Sequence, residues 1–249
     1  MFLGFLWFVT SLLPLALFQR LLHREIQAVL LLLTRHSGLT IGLFSMLFLP
    51  GVLLHEFSHF LAAKLLGVRT GRFSLLPRVL PDGRLLLGYV ETQRTDIVRD
   101  ALIGLAPLVA GGAFLAYVAL HRLNLPLLWR TLQNGQIDLF LSALWALPSV
   151  PDFPLWFYLT FAVSSTMLPS TSDRQAWLPL LLWITALLTL ALLTDIGPWL
   201  LAHLAPALNR FLQSVAVLFG LSAIVHLILL LPTVLLHRLL AHVFHLDVQ

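Results

Sequence analysis

His55, Glu56 and His59 stand in the order His-Glu-Phe-Ser-His, the spacing HExxH, inside an apolar run from Phe48 to Ala63. On a helix, residues four apart share a face, so the two imidazoles can hold one metal ion together. Glu56 is placed beside them as the general base for a metal-activated water. Two histidines and a carboxylate are costly inside a membrane-type segment, and such groups there mark a functional site. The bland alternative is a pair of membrane histidines bonded to backbone or to neighbouring helices. Burial makes such a cluster expensive without a ligand, so the metal reading is preferred.

A catalytic zinc takes three protein ligands and leaves a fourth position open. The chain has no cysteine, so the third ligand must be His, Asp or Glu. Glu91 is the last glutamate in the chain, which argues against a metallopeptidase class that takes a later glutamate. Asp173 and Asp195 are the candidates. Asp173 follows Pro169-Ser170-Thr171-Ser172, a helix-breaking and capping run. A broken helix at membrane depth is tolerated where it lines a cavity, and this favours Asp173. Asp195, near Pro198, suits the interfacial end of a span.

The elements that must carry these residues are set by composition. Of 249 residues, 59% are hydrophobic and only 10% charged, against roughly 25% charged in ordinary soluble domains. The mean hydropathy is +0.93. The expected fold is an all-α polytopic membrane protein, one domain over 1–249, with about six transmembrane helices and a small membrane-associated β-hairpin. A nucleic-acid partner is rejected despite the basic pI of about 10.3. Lys64, Arg69, Arg72, Arg78, Arg84, Arg94 and Arg99 fall in one segment, and basic loops record cytoplasmic topology. The 64–99 segment is therefore placed on the cytoplasmic side, in what is most simply a prokaryotic cell membrane.

The apolar N-terminus lacks a basic leading region and a small-residue cleavage site, so 2–18 reads as a retained span. Arg20, His23, Arg24 and Glu25 read as a polar break, and 26–34 as a half-length helix. The site helix is expected over 39–66, bent or loosened by Pro50 and Gly51. Residues 69–95 read as a hairpin: the runs 73–76 and 85–90 flank the turn signal Pro81-Asp82-Gly83. Such an edge in or beside lipid must be covered, so the hairpin should pack against the helices around the metal. A span over 97–120 carries Gly104, Ala106, Pro107, Gly111 and Gly112, small residues that permit close helix contact. Residues 122–136 read as loop. The runs 137–147 and 155–168 read as half-spans, or as a loop and a span, and 177–194 and 211–236 as spans. His237, His242 and His245 suit a solvated interfacial helix, and His226 packing against another helix.

HEFSH on a membrane helix, followed by Ala62-Ala63-Lys64-Leu65-Leu66-Gly67-Val68 and by Gly88-Tyr89-Val90-Glu91, resembles the site-2 protease family of intramembrane zinc metalloproteases. The likeness is strongest over residues 50–120. Ile103-Gly104-Leu105-Ala106-Pro107 with Gly111-Gly112 is similar to the small-residue and proline motif of that family's next helix. The family's aspartate stands in a Leu-Asp-Gly context, which is absent here. Pro169-Ser170-Thr171-Ser172-Asp173 resembles a variant of it, and Thr194-Asp195-Ile196 is the competitor. With no inserted module visible, the chain looks like a minimal catalytic core.

The resemblance implies zinc held by His55, His59 and Asp173, with Glu56 catalytic and a peptide bond of a membrane-embedded protein as substrate. A helical substrate must unwind before attack. The strand 84–91, with Leu86, Gly88, Tyr89 and Val90, is assigned to hold the unwound segment by strand addition. The partners implied are that substrate and the lipid bilayer; the oligomeric state is unassigned. The rival reading is a non-enzymatic scaffold or transporter-like protein with a metal site, which would have no need of Glu56.

Overall fold

The computed structural model describes residues 3–79, 85–194 and 196–245, without the side chains of Trp129 and Leu132. Pro81-Asp82-Gly83, Arg84 and the candidate ligand Asp195 lie outside the described residues.

Leucine, alanine and phenylalanine dominate the long segments, and an apolar helix satisfies its own backbone in lipid. Among the described residues eight α-helices result: α1 (Leu3–Thr34), α2 (Ser37–Leu65), α3 (Ile97–Tyr117), α4 (Leu125–Gln133), α5 (Ile137–Ala146), α6 (Phe153–Ser164), α7 (Trp177–Leu192) and α8 (Ile196–Phe244). A π-helical turn, Val118–Arg122, extends α3.

Four of these are long and apolar enough to cross a membrane: α1, α2, α3 with its π turn, and α8. The expected six spans are therefore corrected to four among the described residues. The polar cluster Arg20–Glu25 does not break the first helix, contrary to expectation: α1 runs through it as one element of 32 residues, because Glu25 finds a partner on another helix, but this leaves the number of spans there at one. The difference in count arises further on, where α5, α6 and α7 have 10, 12 and 16 residues. At 1.5 Å per residue none reaches the ~30 Å of the hydrocarbon core. Residues 122–136, expected as loop, contain the short helix α4. The last span is much longer than expected, since α8 has 49 residues and would extend about 74 Å if straight.

The hairpin is present as two antiparallel pairs. Strand β1 (Thr70–Ser74) pairs with β4 (Tyr89–Thr92) in the register Phe73↔Val90 and Ser74↔Tyr89. Strands β2 (Arg78–Val79) and β3 (Leu85–Leu86) pair as Arg78↔Leu86 and Val79↔Leu85. An irregularity between Thr70 and Phe73 shifts the register by one, as a β-bulge does. The hairpin lies against α2 through β4 and β1.

The packing has two centres. Leu22, Phe44, Phe48, Val52, Phe161 and Val225 join α1, α2, α6 and α8, and Leu85 and Leu87 of the hairpin pack against them. Leu15, Leu115, Met167, Phe219 and Ala223 join α1, α3, α8 and the chain just after α6. The pair α1–α8 is the most extensive helix contact. Many leucines on α7 and α8 face outward, as lipid-facing residues would.

Candidate metal centre

His55 and His59 lie one turn apart on α2, with their ring centroids 4.8 Å apart. Asp173 reaches them from the irregular segment between α6 and α7. Its Oδ1 lies 3.2 Å from His59 Nε2 and its Oδ2 3.6 Å from His55 Nε2. The two Nε2 atoms are 3.2 Å apart. Among the described residues this is the group of three ligand-type side chains that converges, with all its ligand atoms within 4.8 Å.

Both imidazoles are held from behind. His55 Nδ1 is 2.6 Å from the Thr166 carbonyl, and His59 Nδ1 is 2.8 Å from the Ile103 carbonyl. A carbonyl oxygen only accepts, so Nδ1 is the donor in each ring. The neutral ring then carries its lone pair on Nε2, and both lone pairs point at one carboxylate. Three acceptors facing one another repel unless a cation lies between them. Tetrahedral zinc with nitrogens at 2.0–2.1 Å has ligand–ligand edges of about 3.3 Å, close to the 3.2 Å separations found here. The donor set thus fits a zinc-like ion, and the orienting carbonyls are the outer partners that metal-binding histidines require.

Asp173 is fixed by a local device. The Ser170 N–H donates to Asp173 Oδ2 at 2.7 Å, and the Asp173 N–H donates to Ser170 Oγ at 3.3 Å. This reciprocal pair is a capping box written Ser-x-x-Asp. It turns the carboxylate back into the bundle, where it is half-buried.

Glycines let these elements approach. A Cβ on Gly104 would collide with the Asp173 backbone carbonyl, and one on Gly51 with the Ala162 carbonyl and Thr166 Oγ1. The small residues of α2 and α3 therefore sit where the two segments that complete the site come closest.

Glu56 is buried on α2 beside His55. The hairpin covers it: a Cβ at Gly88 would lie 2.9 Å from Glu56 Cγ and 2.9 Å from Val52 Cγ1. The Val90 backbone amide faces the Glu56 carboxylate. Of the four hairpin residues assigned to substrate, Gly88 and Val90 thus adjoin the candidate base. Leu86 pairs with Arg78 in the outer part of the hairpin, and the Tyr89 ring lies under the Arg78 guanidinium at 5.1 Å.

Residue types alone missed Ile103, Thr166 and Ser170. The first two contribute only carbonyls, which leave no mark in a sequence. Ser170 did carry a signal, the capping-box spacing to Asp173. One histidine also fares differently from expectation, while His226 packs against another helix as expected. His237 is not a solvated residue, since its Nδ1 donates to the buried Glu25 at 2.6 Å. His226 is fully buried and bonded to Ser165 Oγ at 2.9 Å and to the Ser222 carbonyl at 2.7 Å. No protein-family model, curated protein or solved structure matches this chain.

Proposed function

We propose that this chain is an intramembrane zinc endopeptidase, of the kind the site-2 protease resemblance implies. It hydrolyses a peptide bond within or near the transmembrane segment of another membrane protein. The observation that carries the reading is the convergence of His55, His59 and Asp173 on one point, next to a buried glutamate on a membrane-type helix.

Bound zinc would supply Lewis acidity, lowering the pKa of water toward ~7 and polarising a carbonyl. The chain's own groups do the rest. His55, His59 and Asp173 hold the ion. Glu56 takes one proton from the attacking water and gives it to the leaving amine as the C–N bond breaks. The hydrocarbon-facing wall keeps bulk water out. The β4 side of the hairpin, with Leu86, Gly88, Tyr89 and Val90, receives the unwound substrate as an added strand; the position of Gly88 beside Glu56 supports this. Substrates with Gly or Pro near the cut are preferred, because unwinding them costs less. The hairpin side faces the cytoplasm by the basic-loop rule, in a prokaryotic cell membrane.

Zinc content and cleavage of a helical membrane reporter, measured on purified protein, test this. The expected result is about one zinc per chain in the wild type. Glu56→Gln keeps the zinc and loses cleavage by ~100-fold or more. Wild-type protein that takes up no zinc, or a Glu56→Gln variant that cleaves normally, rules the proposal out. Zinc uptake without cleavage of any reporter would favour the non-enzymatic metal protein.

A further inference from the structure

The two carbonyls that hold the site histidines each have a proline at a position that would supply a local backbone donor, Ile103 inside α3 and Thr166 in the turn after α6. In a regular α-helix the Ile103 carbonyl would accept from the N–H of residue 107. That residue is Pro107, which has no N–H. Pro107 is fully buried inside α3, and the Ile103 carbonyl takes the His59 Nδ1–H instead, at 2.8 Å.

The same arrangement recurs on the opposite side of the site. The chain leaves α6 at Ser164, and Thr166 follows. The Thr166 carbonyl could accept from position 169 in a tight turn or from position 170 in a helical one. Position 169 is proline. The N–H of Ser170 is already given to the Asp173 carboxylate. The Thr166 carbonyl accordingly meets His55 Nδ1, at 2.6 Å.

We infer that Pro107 and Pro169 are positioning residues of the metal centre. By withholding an N–H, each leaves one carbonyl open to the Nδ1–H of a site histidine, which fixes that ring's tautomer and directs its Nε2 at Asp173. Each acts through a neighbour's backbone, in the manner of the outer partners that orient histidines at metal sites. The arrangement also explains why a helix-interrupting residue is found at each of these two places in so apolar a chain. Its consequence for affinity rests on the zinc reading, whereas the consequence for the tautomers stands without it.

The test uses the full-length protein in detergent micelles, titrated with zinc against a chromophoric chelator. Pro107→Ala restores a donor to the Ile103 carbonyl, and Pro169→Ala one to the Thr166 carbonyl. Each is expected to weaken zinc binding about 10–100-fold, the range for losing an orienting partner. Pro14→Ala, in α1, which carries none of the site residues, should bind as the wild type does. The decisive variant carries lactic acid at position 107, an ester that lacks both the N–H and the ring. It should bind zinc within about 3-fold of wild type, well inside the orienting range.

Nitrogen-15 shifts of labelled histidine in the metal-free protein, taken at a pH high enough for the imidazoles to be neutral, give a second readout. His59 should be the Nδ1–H tautomer in the wild type and in the ester, and mixed in Pro107→Ala. Folded alanine variants with wild-type affinity and unchanged tautomers would overturn the inference. So would an ester variant as weak as the alanine one, because the ring and not the missing donor would then matter. If the wild type binds no zinc, the zinc reading fails, and the tautomer shifts alone decide this one.

Discussion

At the scale of single residues, the site combines three acceptors whose mutual repulsion a cation relieves. Asp173 is the ligand most dependent on its surroundings, because it comes from an irregular segment and not from a helix face. Asp173→Ala should lower zinc affinity by more than ~100-fold, beyond the range for an orienting group; chelator competition reads this directly. Ser170→Ala should do less, because the Ser170 backbone N–H still reaches Asp173 Oδ2. What it removes is the Oγ acceptor for the Asp173 N–H. A lost cap of this type costs about 0.5–2 kcal/mol, visible as a lower Tm with zinc stoichiometry kept.

At the scale of elements, the site depends on how closely three segments approach α2. Gly104→Ala pushes the Asp173 segment away from α3, since the new Cβ meets its backbone carbonyl. Overpacking of this kind costs about 1–3 kcal/mol. Because the displaced atom belongs to a ligand residue, zinc affinity should fall together with Tm. Gly112→Ala is the control, with only a distant Leu218 Cδ1 at 3.9 Å, and should change neither.

The start of α3 carries its own pH dependence. Asp96 caps it by accepting the Arg99 N–H at 3.0 Å, with the Arg99 guanidinium 3.1 Å away. That amide bond and the neighbouring cation hold the Asp96 carboxyl below the ordinary carboxylate range. A depressed folded pKa means the cap contributes fully above the unfolded value. The contribution fades as pH falls through the lower folded value. Asp96→Asn, which keeps an accepting oxygen but not the charge, should therefore flatten the acid limb of the Tm–pH curve by lowering Tm slightly near neutrality and leaving it unchanged in acid.

At the scale of the whole molecule, α1 and α8 form a long pair with a polar contact near each end of α1: the Gly4 N–H donates to Asn209 Oδ1 at 2.7 Å, and Glu25 meets His237. Glu25 and His237, 212 positions apart, meet at 2.6 Å, with Arg24 a further 3.1 Å neighbour of Glu25. The contact borders a cavity of about 630 Å³ that also touches α2 and the hairpin residues Val79 and Leu85. Removing one partner of a buried pair leaves the other unpaired, which costs roughly 3–5 kcal/mol in dry interiors. The cavity should reduce this, so His237→Ala is expected to cost ~2–3 kcal/mol. The double variant Glu25→Gln with His237→Ala should recover part of the loss in thermal unfolding. An unchanged Tm in the single variant would mean that the Glu25–His237 contact does not hold the two helices together.

The apolar helices, the convergence of His55 and His59 on one helix face and the paired strands were legible in the sequence, because each rests on local pattern: apolar run length, four-residue helical spacing, and two short apolar runs close together in the chain. Asp173 was legible in part, through the proline and hydroxyls that break the helix before it. The continuity of α1 was not. Whether Arg20–Glu25 interrupts a helix depends on Glu25 finding His237 more than two hundred residues later, and no window of sequence contains that pairing. Nor do residue types reveal which carbonyls are free. Proline shows where a donor is missing, but only the packing of α2 against α3 and α6 decides that the carbonyls so released, at Ile103 and Thr166, meet the two histidines. Local spacing determined which side chains can bind a metal; the tertiary structure decided how they are aimed, because orientation depends on backbone groups brought from distant parts of the chain.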